Sequence, residues 1–212
     1  MAQQPEPYPL QFSVDYPDRT LNRLSTFFRI FAIIPIVIVF VLISAGSTDG
    51  GAGDDIRGIG FGGGIGMFLA TQIMLLFRWK YPRWWFDWNL ALNRFGARVG
   101  SYLFLLRDEY PSTDEEQAVH LEMRYPDAPK ELNRWLPLVK WILAIPHYLI
   151  LLVLLVLSIG AVIIAWFAIV FGGRYPRPLF DFIVGTVRWG YRVQAYMLLL
   201  ITDKYPPFRM EP

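Results

Sequence analysis

An eight-residue phrase occurs twice in this chain. Lys80-Tyr81-Pro82-Arg83-Trp84-Trp85-Phe86-Asp87 returns as Arg174-Tyr175-Pro176-Arg177-Pro178-Leu179-Phe180-Asp181, 94 residues later. Arg94, Arg98 and Tyr102 keep that offset to Arg188, Arg192 and Tyr196. Upstream, Leu21-Asn22-Arg23 and Ile34-Pro35 stand 111 residues before Leu132-Asn133-Arg134 and Ile145-Pro146. Register kept over this much chain reads as a tandem duplication, so the fold is expected to use one unit of about 95 residues twice. The units are placed at 8–107 and 119–208, joined by an acidic linker at 108–118 that carries Asp108, Glu109, Asp114, Glu115 and Glu116.

Composition points to lipid. Hydrophobic residues make up 54% and charged residues only 18%, with a mean hydropathy of +0.34, more apolar than ordinary soluble domains of this length. Cysteine is absent, which excludes disulfide and thiolate chemistry. Met1 to Pro9 lacks the charged-then-apolar pattern of a signal peptide, so insertion is expected through internal segments. Residues 27–44 and 59–77 are each long enough to cross ~30 Å of hydrocarbon as a helix. Residues 136–171 carry only Lys140 and His147 as ionisable groups and are too long for one span; a hairpin turning at Ser158-Ile159-Gly160 is expected. Pro35 and Pro146 are expected to kink the first helix of each unit. Basic residues flank the spans and nearly avoid the hairpin tips, which places both termini in the cytoplasm of a multi-pass cell-membrane protein. Two spans per unit return the chain to its starting side, so the units are read as parallel repeats.

Each Tyr-Pro-Arg leads into a further helix, 84–106 and 178–201. At 100° per residue Asp87, Arg94 and Arg98 share one stripe, and Asp181, Arg188 and Arg192 share another. Arginines are costly at the bilayer centre, so these helices are expected to lie in plane at the interface, with Trp79, Trp84, Trp85, Trp88 and Trp189 at headgroup depth. Two readings of the stripes stay open. One is simple snorkelling. The other joins Arg83, Asp87, Arg94 and Arg98 to Arg177, Asp181, Arg188 and Arg192 across a pseudo-twofold axis, as a basic groove for lipid phosphate or a partner.

The alternation of Leu10, Phe12 and Val14, and of Val119, Leu121 and Met123, with polar neighbours is the half-buried strand pattern. Each unit therefore opens with a short strand, expected to pair with the other or with a partner protein. Tyr-Pro occurs seven times, each near an element boundary. The glycine-rich stretch 48–64 follows no strand and is not a dinucleotide fingerprint.

Catalytic chemistry is not visible. His120 and His147 have no metal-ligand partners at useful spacing, and no nucleophile motif or phosphate loop is present. His147, inside a span, is either satisfied by a neighbour or a proton relay. Basic residues interleave with aromatics beside spans, which argues against nucleic acid.

Residues 132–208 carry Leu-Asn-Arg, then Ala-Ile-Pro-His-Tyr-Leu-Ile, Phe-Gly-Gly-Arg-Tyr-Pro-Arg-Pro-Leu-Phe-Asp-Phe, and Thr-Asp-Lys-Tyr-Pro-Pro-Phe. This stretch resembles a bacterial integral-membrane family catalogued only as a domain of unknown function, with the unit present singly or in tandem. The first unit departs from that pattern, with Ile36 in place of the histidine. The resemblance implies a topology and transfers no catalytic residues.

The expectation is thus an all-α membrane protein of two tandem parallel repeats, each a short strand, a transmembrane helical hairpin and an interfacial amphipathic helix. It is expected to be non-enzymatic and without cofactor, an accessory or scaffolding subunit binding lipids, a protein partner or its own copies. A small transporter or channel formed by oligomerisation, and a lipid-headgroup-handling protein, are the alternatives.

Overall fold

The computed structural model describes residues 8–17, 20–45, 69–113 and 115–212. In chain order these form β1 (Leu10–Val14), α1 (Arg23–Ala32), α2 (Ile34–Ala45), α3 (Leu69–Arg78), α4 (Arg83–Leu103), β2 (Val119–Met123), α5 (Ala128–Glu131), α6 (Pro137–Leu143), α7 (Ile145–Gly172) and α8 (Arg177–Met197). The glycine-rich stretch 48–64 lies outside the described residues.

β1 and β2 pair antiparallel, Phe12 opposite Leu121. Leu10, Phe12 and Val14 are buried and Gln11, Ser13 and Asp15 exposed, so the sheet has one dry face and one wet face. The dry face rests on α4 and α8. β1 packs on α8 and β2 packs on α4, so the strand of each half covers the late helix of the other.

α4 and α8 form the middle layer. They meet where Gln194 Nε2 donates to Asn93 Oδ1 at 2.9 Å. Beneath them α2 packs on α4, placing Ile33 and Ile36 with Phe95, Val99 and Tyr102. α7 packs on α8, placing Leu154 with Trp189 and Val193, and α1 packs on α7. The molecule is therefore three-layered: sheet, central helices, outer apolar helices.

This is not the all-α fold of two tandem parallel repeats with transmembrane hairpins. A two-stranded sheet is present, and among the described residues a single continuous helix, α7, is long and apolar enough to cross a membrane. The turn expected at Ser158-Ile159-Gly160 does not form; those residues lie inside α7. A helix-interior glycine costs only about 1 kcal/mol, and nothing else there breaks the helix. The stop falls instead at Gly173, in the left-handed region (φ 72°), whose N–H donates to Ile169 O at 2.7 Å. Trp79 ends α3 in the same left-handed region (φ 47°).

The segment expected to span as one helix from Phe27 to Ser44 is broken at Ile33. The axes of 23–29 and 34–40 differ by 55°, so at most this bent pair would count as a second span. The helices break just before Pro35 and Pro146, at Ile33 and Ala144, where a kink is expected. Each proline is the second residue of a new helix, where a missing N–H costs nothing. Of the segment expected at 59–77, only Leu69 onward is described, and it packs as the short helix α3. α4 and α8 are central rather than lipid-facing, which puts Trp189 in the core at 5% exposure instead of at headgroup depth.

Candidate functional site

The arginine stripes turn to backbone carbonyls of the sheet, the tail and the connection before β2. Arg188 Nε donates to Phe12 O at 2.8 Å and its Nη1 to Met210 O at 2.8 Å. Arg94 Nε donates to Leu121 O at 3.0 Å. Arg192, buried at 3% exposure, donates to Arg209 O and Glu211 O. Arg98 Nη1 donates to Ser112 O at 2.6 Å. Burial disfavours the charged forms of Arg188 and Arg192, lowering both from the ordinary guanidinium value. Arg83 and Arg177 lie over the rings of Tyr125 and Tyr16, each 5.1 Å from the centroid. Asp87 and Asp181 are exposed and make no ion pair among the described residues. Four of the six arginines thus donate to backbone carbonyls of the fold itself.

Two buried cations in otherwise apolar segments anchor the outer helices. Arg29 of α1 pairs with Asp108 and lies 4.5 Å over the ring of Tyr102. Lys140 of α6 reaches Asp203 Oδ1 at 2.7 Å and Thr202 O at 2.7 Å, and lies 4.8 Å over the ring of Tyr196. In each case the carboxylate also accepts a backbone N–H, of Asn22 or of Asn133. Burial pulls the Lys140 ammonium down, and Asp203 partly offsets that. The two Leu-Asn-Arg phrases carried the available signal, because each sets the asparagine N–H beside its carboxylate.

His147 is wholly buried. Its Nδ1 accepts from Trp189 Nε1 at 3.1 Å, and Phe208 stacks on its ring at 4.0 Å. The neighbour-satisfied reading of Nδ1 holds; Nε2 has no partner among the described residues.

The outer layer is apolar outward. On α7, Leu149, Val156, Ile159, Ile164 and Phe171 are each more than half exposed, and the mean hydropathy of its most apolar window reaches 3.0. Phe27, Phe31 and Ile38 of the bent pair are likewise more than half exposed. Trp84, Trp135 and Trp141 are more than half exposed as well. An open cleft of about 610 Å³ beside α3 brings together Arg78, Lys80, Arg83 and Asp127. A second, of about 420 Å³, separates α4 from α8 and is lined by Asn93, Gly96, Ser101, Tyr191 and Gln194.

Residues 135–209 match a domain of unknown function (DUF4389). No curated protein matches the chain. No solved structure matches it either.

Proposed function

We propose that this is a non-enzymatic protein of the cell membrane, an accessory or scaffolding component whose outer helical layer rests in lipid and whose sheet layer faces the cytoplasm. The observation that carries the reading is the outward face of α7. It is a 28-residue helix with no charged side chain, 22% buried over its most apolar window. A soluble monomer rarely exposes so large a contiguous apolar patch. The scaffold role is supported by where the charges go: Arg94, Arg188, Arg192 and Lys140 hold carbonyls and carboxylates of the fold itself. Tyr8 and the tail around Met210 both bond to α8, and the proposal places both described ends in the cytoplasm.

Expression of the whole chain followed by fractionation tests this. The protein is expected in the membrane fraction and to stay there through washes with high salt and alkaline carbonate. Recovery as a monodisperse species in buffer without detergent overturns the proposal.

A further inference from the structure

The way β1, α8 and α7 stack restricts how α7 can meet a bilayer. β1 tracks α8 along its length. Tyr16 packs on Phe180 at 5.1 Å, Phe12 on Tyr191 at 5.2 Å, and Tyr8 donates to Arg192 O. That covers α8 from its first turn to its last but one, roughly 20 Å of axis. α7 runs back along the same helix. Gly173 leads through a short turn into α8, and His147, near the far end of α7, meets Trp189. At 100° per residue, Phe180, Arg188 and Tyr191 point to one side of α8, whereas Phe182, Trp189 and Val193 point nearly opposite. Sheet and α7 therefore lie on opposite sides of α8, with their long directions aligned.

We infer that α7 lies in the plane of the membrane, sunk in the acyl chains of one leaflet, and does not cross the bilayer. This rests on the membrane reading above and specifies its geometry. Were α7 upright, β1 and β2 would stand upright beside it. The exposed Gln11, Ser13, His120 and Glu122, and the outer edges of a two-stranded sheet, would then sit at hydrocarbon depth. Unpaired backbone groups and charges are not tolerated there. Laid flat, every part finds its solvent. The sheet faces water, the arginine-tied central helices sit beneath it, and Leu149, Val156, Ile163 and Phe171 point into lipid. A helix about 10 Å across fits within one leaflet of a core ~30 Å thick. Trp84, Trp135 and Trp141 carry exposed indoles, which favour the interface.

An isolated helix apolar all round would be expected to span. α7 differs because its inner side, with His147, Ser158, Ala161 and Ala165, is buried in the protein. The polar face that an in-plane helix needs is supplied by α8 and the sheet, not by α7 itself.

The chain has no cysteine, so single-cysteine variants carry one label each. Leu149→Cys, Val156→Cys, Ile163→Cys and Phe171→Cys, in the full chain reconstituted into phosphatidylethanolamine–phosphatidylglycerol vesicles, are spin-labelled and read by oxygen and nickel-chelate accessibility. These sites span 22 residues, roughly 33 Å of helix. The expected result is four depths agreeing within about 5 Å, all inside one leaflet. A profile deepest at Val156 and Ile163 and shallow at both ends means a spanning helix and overturns the inference. Strong spin–spin coupling with low oxygen access means a second copy covers the face, and overturns it also. Failure of the unlabelled chain to co-sediment with the vesicles would instead overturn the membrane reading on which the inference rests.

Discussion

Arg188 Nε hydrogen-bonds to the carbonyl oxygen of Phe12 at 2.8 Å, across 176 residues of chain. The bond ties the last helix to the first strand. Arg94 makes the corresponding bond to Leu121 O at 3.0 Å, tying the other strand to the other central helix. A sheet of only two strands is marginal alone; here each strand is fastened to a helix by a charged donor.

Arg188→Ala removes that fastening and leaves the carbonyls of Phe12 and Met210 short of a donor. The expected loss is about 2 kcal/mol of stability, with Arg188→Lys recovering part, because lysine lacks the planar fork. Thermal melts in detergent read it. An unchanged melt with altered lipid retention would favour a headgroup-binding role for the stripe instead.

Lys140→Met is expected to cost about 3 kcal/mol, since it strands Asp203 and Thr202 O beside an apolar side chain. Adding Asp203→Asn should return part of that, because a neutral amide is cheaper to leave near the core. A double-mutant cycle on unfolding midpoints checks it. Strict additivity would mean the pair is not coupled.

Tyr8, Tyr81, Tyr175 and Tyr191 have phenols pushed up, chiefly by burial. Tyr81 and Tyr175 also donate to Leu199 O and Phe104 O, bonds that ionisation would abolish. A raised folded value contributes stability that is complete below the unfolded value of 10.0 and is lost as pH climbs toward the folded one. Absorbance titration near 295 nm should therefore show these phenols ionising only together with unfolding. Reversible titration of all eleven tyrosines near pH 10 with the circular dichroism intact would contradict it.

Gly185→Ala places a methyl 2.7 Å from Met210 Cβ and 3.3 Å from its carbonyl. The tail around Met210 must move, and Arg188 and Arg192 lose carbonyl partners with it. Faster backbone amide exchange at 208–212 is expected, together with about 1 kcal/mol of destabilisation net of the gain in helix propensity.

Much of the local structure could be read directly. Strict alternation at Leu10–Val14 and Val119–Met123 identifies strands, because only a period of two puts those apolar residues on one face. Tyr-Pro-Arg announces α4 and α8, because proline disfavours helix in the residue before it and stands as the extended N-cap residue of each. The hairpin at Ser158-Ile159-Gly160 misled, since a small-residue run is only a permissive site for turning. The stop at Gly173 is obligatory, because the chain needs a left-handed residue there. Arg29 and Lys140 looked like isolated charges in apolar segments; their carboxylates lie 79 and 63 residues downstream.

The sequence by itself determined where the two strands and the two late helices fall, and which stretches are apolar. Those properties follow from side-chain periodicity and transfer energy, and both are local. Only the tertiary structure decided that β1 covers α8 and β2 covers α4, that Arg94, Arg98, Arg188 and Arg192 donate to backbone carbonyls, and that a helix long enough to span packs along α8. These outcomes depend on which surfaces meet, and no window of sequence contains both partners of contacts separated by 70 to 176 residues.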